Sequence, residues 1–122
     1  MRRLVVFNHV SLDGYFVDRH GDMRWAKAHH DDPEWNAFVA GNASGSGALV
    51  FGRVTYQMMA AFWPTPAAMA AMPAVAAGMN AMPKVVFSRT LTEATWSNTT
   101  LVNDDAAAAM RRLKGESGPD MA

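Results

Sequence analysis

The sequence predicts an α/β fold, a mostly parallel sheet flanked by helices. Three observations carry that expectation. First, short continuous apolar runs recur: Leu4-Val5-Val6-Phe7, Ala48-Leu49-Val50-Phe51 and Lys84-Val85-Val86-Phe87. Runs without alternation suit strands covered on both faces, as in parallel sheets. Second, helix-forming stretches with clear start signals separate the runs. Third, two of the runs end in a polar turn with an arginine at once: Gly52-Arg53 and Ser88-Arg89. In open parallel sheets ligands bind outside the carboxyl ends of the strands.

Taken in order, Leu4–Phe7 is read as the first strand. Asn8 to Gly14 turns polar, and Asp13-Gly14 is a turn signal. His20-Gly21-Asp22 marks another turn. In His29-His30-Asp31-Asp32-Pro33-Glu34-Trp35, Asp32 serves as a helix N-cap, with Pro33 at the first helical position and Glu34 in the first turn. Trp35, Phe38 and Val39 then form the expected buried stripe. Residues 41–47, Gly-Asn-Ala-Ser-Gly-Ser-Gly, read as a flexible loop with no basic residue to hold a phosphate. The second strand ends at Gly52. Val54, Met58 and Phe62 follow at spacings that put them on one helix face.

Between Trp63 and Pro83 the chain is rich in Ala, Met and Pro, and the prolines divide it into short helical pieces. The methionines are fillers of irregular space over the sheet. Lys84–Phe87 is the third strand and Thr99–Val102 the fourth. Asn103-Asp104-Asp105 cap a last helix, which carries Arg111, Arg112 and Lys114 at its end and stops at Gly115. Arg111 and Arg112 are assigned structural roles there.

Composition limits the function classes. The chain has 122 residues, enough for one domain, read as a single domain over 1–122. Half the residues are hydrophobic, and 11 basic residues balance 11 acidic ones, so there is no footprint for nucleic acid or a charged membrane surface. No cysteine is present, which excludes disulfides and thiolate metal sites. No apolar run is long enough to span a bilayer, and a cytoplasmic location is expected. The adjacent His29, His30 and Asp31 invite a metal-hydrolase reading, but neighbours on a helix do not share a face, and no metal is expected.

The two arginines matter by placement. At a helix start, free N–H groups favour an anion, and Arg53 adds a full charge beside them. The other reading of Arg53 is a solvated surface residue after an ordinary strand. Two arginines at two strand ends suggest a phosphorylated ligand. Neither a Walker loop nor a GxGxxG fingerprint is present.

Val10-Ser11-Leu12-Asp13-Gly14-Tyr15, Phe51-Gly52-Arg53-Val54-Thr55-Tyr56 and Val86-Phe87-Ser88-Arg89-Thr90-Leu91, with Phe62-Trp63-Pro64 after the second, resemble the dihydrofolate-reductase-like family. The resemblance is closer to the reductase domain of the bacterial bifunctional deaminase-reductase of riboflavin synthesis. It runs from Arg3 to the end of the chain, and it implies NADPH-dependent reduction of a small pterin-like or pyrimidine/phosphoribosyl-type substrate. By resemblance, Gly52, Arg53 and Thr55 hold phosphates, Ser88 and Arg89 contact the adenosine 2′-phosphate, and Ser11, Asp13 and Gly14 lie near the nicotinamide. Asp32, three residues before Trp35, matches the spacing of the acidic catalytic residue of dihydrofolate reductases. Family members continue with further strands where this sequence ends, so the resemblance implies a domain truncated after the fourth strand and its helix. A homodimer, or another chain, is then expected to complete the sheet. The alternative is a non-catalytic nucleotide- or phosphate-binding module that assembles through its open sheet edge.

Overall fold

A computed structural model describes residues 1–27, 31–43 and 47–122. The fold is mixed α/β, with a three-stranded parallel sheet between helices. Strands β1 (Leu49–Gly52), β2 (Lys84–Phe87) and β3 (Thr99–Val102) lie in the order β1-β2-β3. The helices are α1 (Pro33–Ala43), α2 (Arg53–Phe62), α3 (Pro66–Ala71), α4 (Pro73–Ala81) and α5 (Ala106–Gly115). A short 3₁₀ helix, Arg24–Lys27, precedes them. Parallel neighbours need long crossovers. Helices α2, α3 and α4 make the first, and the connection from Ser88 to Asn98 makes the second.

The core lies on one face of the sheet. Val86 is fully buried at its centre, with Tyr56 from α2 and Trp96 from the β2–β3 connection. Phe51, Met59, Trp63, Met79, Leu91 and Leu101 pack around them. Trp96 stacks on Phe51, centroids 6.2 Å apart at 20° between planes, and lies 6.2 Å from Tyr56. Such ring pairs contribute about 0.5–1.5 kcal/mol each beyond the area they bury. On the other face, Ala109 and Leu113 of α5 line a shallow groove with Val85, Thr100 and Val102.

The helix signals act as expected. Pro66 and Pro73 start α3 and α4, and the Thr65 side chain caps α3. Asp105 Oδ1 accepts from the Ala108 N–H at 2.7 Å to cap α5. Asp13-Gly14 is a turn: Gly14 adopts φ +90° and donates its N–H to the Ser11 carbonyl. Gly21, at φ +75°, makes the other one.

Three expectations need correction. Leu4–Phe7 is not a strand of the sheet. Leu4 alone bridges Met121, and the four side chains are 42–79 % exposed, because the run has a backbone partner only at its start. Val54, Met58 and Phe62 share a face of α2, as their spacing implies, and that face points to solvent. The opposite stripe, Tyr56, Met59, Ala60 and Trp63, has the same helical spacing and larger rings, and it took the sheet. The α1 stripe is only half covered: Phe38 is 51 % exposed, and the buried residue of this helix is Ala43. Finally, Gly41, Asn42 and Ala43 belong to α1 rather than to the glycine-rich loop. Residues 44–46 lie outside the described residues.

Ala43 is also where α4 comes closest. A Cβ at Gly78 would stand 2.0 Å from the Ala43 carbonyl oxygen, so only glycine permits this helix contact. The segment ending the sequence is clasped as well. Met121, 1 % exposed, bridges Leu4 on one side and Ala48 on the other, both parallel. Arg3 donates its N–H to Asp120 Oδ1 and its Nε to Asp120 Oδ2, each at 2.7 Å. Those donors hold the Asp120 carboxyl below the usual carboxylate range.

Two outcomes follow. Gly78→Ala should lower unfolding stability by about 1–3 kcal/mol, the cost of overpacking against backbone, in urea titrations. Asp120 has a folded pKa below its unfolded one, so its stabilisation is present above the unfolded value and is lost as pH falls through the folded one. The wild type should therefore be more stable than Asp120→Asn at neutral pH. The gap should close progressively below about pH 4, read by thermal melts across pH.

Candidate functional site

The parallel register builds the site. Gly52 pairs with Phe87, and Phe87 with Val102, so all three strands end level on one edge. Arg53, Ser88 and Asn103 are then the first residues beyond that edge. The Ser88 N–H donates to the Val102 carbonyl at 3.0 Å, which ties the second turn to the third strand.

Arg53 opens α2. Gly52, its N-cap, is extended at φ −80° and ψ 167°, and no side chain caps the helix. The turn itself does not need glycine, since this backbone conformation is open to any residue. The position is also open: a Cβ there would meet nothing within 4 Å. The free N–H groups of a first turn attract anions. The Arg53 guanidinium is exposed and donates Nη1 to Gln57 Oε1 at 3.0 Å, one turn along. Thr55 is exposed on the same turn.

Ser88 and Arg89 divide their work. Ser88 Oγ accepts from the Thr90 and Leu91 N–H groups at 3.2 and 3.1 Å, which holds the turn. Arg89, between them, is exposed. Leu91 is anchored in the core, so the turn has a fixed base. The structure thus brings Gly52, Arg53, Thr55, Ser88 and Arg89 to one edge.

The remaining candidates form separate local structures. Ser11 Oγ donates to Asp13 Oδ1 at 2.6 Å and accepts from the Tyr15 N–H at 3.0 Å. Together with Gly14 they shape a tight turn in the amino-terminal segment. Asp32 is the N-cap of α1: its Oδ1 accepts from the Glu34 and Trp35 N–H groups at 2.9 and 3.2 Å. The Trp35 ring meets His9 edge to face at 5.2 Å, and His9 meets Phe7 in the same way. His9 is a packed histidine between aromatic rings. His29 and His30 lie outside the described residues, so the metal-hydrolase reading has no geometry here. Arg112 pairs with Asp104 at 3.4 Å, both exposed, beside α5.

One group went unread in the sequence. Lys84, the first residue of β2, is 1 % exposed. Its Nζ donates to the carbonyls of Met82 (2.7 Å), Ser97 (3.0 Å) and Asn80 (3.3 Å) and lies 4.4 Å from the Trp96 ring centroid. Burial pushes this ammonium below the usual lysine range. A lysine directly before three apolar residues was the only signal, and it reads equally as a strand-end residue in water.

A level edge of strand ends bearing two exposed arginines, on a helix-flanked parallel sheet, describes an α/β domain with an edge suited to an anionic ligand. The family model of the RibD C-terminal domain matches residues 2–119, and the chain belongs to that family. This places it among the reductase-like domains of riboflavin biosynthesis. No curated protein matches the sequence. Among the described residues no helix is long and apolar enough to cross a membrane.

Asp32→Ala should cost about 1 kcal/mol of stability through the lost cap, while Asp32→Asn, itself a good cap, should cost a few tenths at most. Chemical denaturation of the two variants separates them.

Proposed function

We infer that this domain binds NADPH along the edge formed by the carboxyl ends of β1 and β2 and reduces a small heterocyclic substrate of the pterin or pyrimidine/phosphoribosyl type. The observation that carries the reading is the register, which sets Gly52-Arg53 beside Phe87-Ser88-Arg89. The residues present suit a dinucleotide with an extra phosphate. The uncapped first turn of α2, the open space at Gly52, the Thr55 hydroxyl and the Arg53 guanidinium offer donors to a phosphate. Arg89 offers a second, separate cation that suits a 2′-phosphate, with Ser88 fixing the turn beneath it. Bound NADPH would supply the hydride, and the protein would position and polarise.

Ser11, Asp13 and Gly14 are assigned to the nicotinamide end, and Asp32 is the candidate proton donor. Its capping bonds engage Oδ1, so the proton would be carried at Oδ2. Asp32→Asn tests this directly, because it keeps the cap: turnover lost with stability retained supports the role, and turnover retained removes it.

A second reading has an observation of its own. Leu4, Val5, Val6 and Phe7 are exposed at 42–79 %, and Leu12 is fully exposed. Such a surface suits a nucleotide- or phosphate-binding module that assembles with a second copy or another chain along this side of the sheet. The two readings share the arginine edge and differ in turnover. NADPH oxidation in the presence of pterin or pyrimidine substrates favours the reductase; binding without turnover favours the module.

Arg89→Ala should weaken NADPH by about 10- to 100-fold, the value of a charge-assisted bond to phosphate, and leave NADH within about threefold. Arg53→Ala should weaken both cofactors. Fluorescence titration checks the pair, and equal losses for the two cofactors in Arg89→Ala would remove its 2′-phosphate role.

A further inference from the structure

Lys84 is a buried cation without a carboxylate: none of the ion pairs among the described residues includes it. What neutralises it is backbone. The Asn80 and Met82 carbonyls belong to the carboxyl end of α4, where the helix dipole is negative, and the Ser97 carbonyl comes from the β2–β3 connection. The face of Trp96 supplies the fourth side of the cage. The cage exists only when α4, β2 and the connection are docked together.

The same residues are bound to one another. Trp96 donates Nε1 to Asn80 Oδ1 at 2.7 Å and its backbone N–H to the Tyr56 hydroxyl at 3.0 Å. Asn80 Nδ2 donates to the Trp63 carbonyl at 3.0 Å. Ser97 Oγ donates to the Asn80 carbonyl, Asn98 Nδ2 to the Ala81 carbonyl, and the Lys84 N–H to the Asn98 carbonyl. The connection is therefore pinned at its far end by the cage, in its middle by Leu91 and Ala94 in the core, and at its near end by the Ser88 turn. Arg89 is the exposed residue between the near and middle pins.

We propose that the Lys84 ammonium is the pin of a latch that holds the β2–β3 connection, residues 88–98, against α4 and the sheet, and that it thereby positions Ser88 and Arg89 on the strand-end edge. Lys84 touches no ligand in this scheme; it acts through the connection. The second half of the proposal rests on the reading of that edge as a cofactor site.

Without the ammonium, three carbonyls face a void, and a buried unpartnered carbonyl favours opening to water. The opening should be local, because β1 and β2 retain their ladder. The test is amide hydrogen exchange of the wild type and of Lys84→Met, which keeps the apolar stem and removes the charge. Exchange over residues 89–98, the Trp96 amide above all, should rise by about tenfold or more, with the β1–β2 ladder changed less than about threefold. A uniform rise over the whole chain, or no rise, would overturn the latch.

Lys84→Ala supplies a second arm that holds even if the Met variant gains compensating packing. Ammonium chloride should restore slow exchange in residues 89–98, and sodium chloride at equal ionic strength should not; equal effects of the two salts would overturn the cation cage. If Lys84→Ala does not fold, the Met variant alone decides.

NADPH and NADH titrations separate the two halves. Loss of the NADPH preference in Lys84→Met supports the positioning role, and an unchanged preference overturns it. If the wild type binds neither cofactor while the exchange result holds, the latch stands and the cofactor reading falls.

Discussion

All three strands run in the same direction, and much else in this structure follows from that constraint. A parallel neighbour cannot be reached by a tight turn, so the chain must cross over the sheet between strands. The crossovers bring Tyr56 and Trp96 onto one face, with α5 on the other, which is why Val86 can be fully buried in a strand only four residues long. Parallel strands also end together. Gly52, Phe87 and Val102 are level, and whatever follows each strand is delivered to one edge. The two arginines meet there because of the sheet's direction and register, without any contact between them.

The apolar core is small for the number of elements it holds, and polar bonds do part of the joining. Tyr56 and Trp96 each bury a ring and use their polar atoms internally, the hydroxyl accepting from a backbone N–H and the indole donating to Asn80. Lys84 completes the cluster as a cation among carbonyls. Fully satisfied networks of this kind specify one arrangement, since any partial version leaves buried groups without partners. No buried side-chain polar atom among the described residues lacks a partner. The sheet edge and the polar cluster occupy opposite ends of β2, so function and fixation are separated along one strand.

The exposed apolar surface is as informative as the core. Val54, Met58 and Phe62 line the outer face of α2, while Leu4 to Phe7 lie open beside the strand-like segment at Met121. Met121 is itself almost completely buried, bridged on both sides by parallel neighbours. The contrast shows what a backbone partner on each side does for an apolar residue. The amino-terminal run is bridged only at Leu4, and Val5, Val6 and Phe7 stay about half exposed or more.

Sequence alone determined the elements whose signals are local. Asp32 and Asp105 cap their helices, Pro66 and Pro73 start theirs, Gly14 and Gly21 take positive φ, and Lys84–Phe87 and Thr99–Val102 are strands with the bounds the sequence implies. It also determined that Arg53 and Ser88-Arg89 each follow a strand, because the order of residues along a chain needs no fold to read it. Tertiary structure decided what depends on partners. Two stripes of α2 had helical spacing, and the arrival of the sheet chose Tyr56, Met59 and Trp63. Leu4–Phe7 had the composition of a strand and lacked a full set of neighbours. Lys84 is buried because the Ser97 carbonyl and the Trp96 ring, distant in sequence, close over its ammonium beside the nearby Asn80 and Met82 carbonyls. Local conformation is written in neighbouring residues. Burial and pairing are settled by residues that are neighbours only in space.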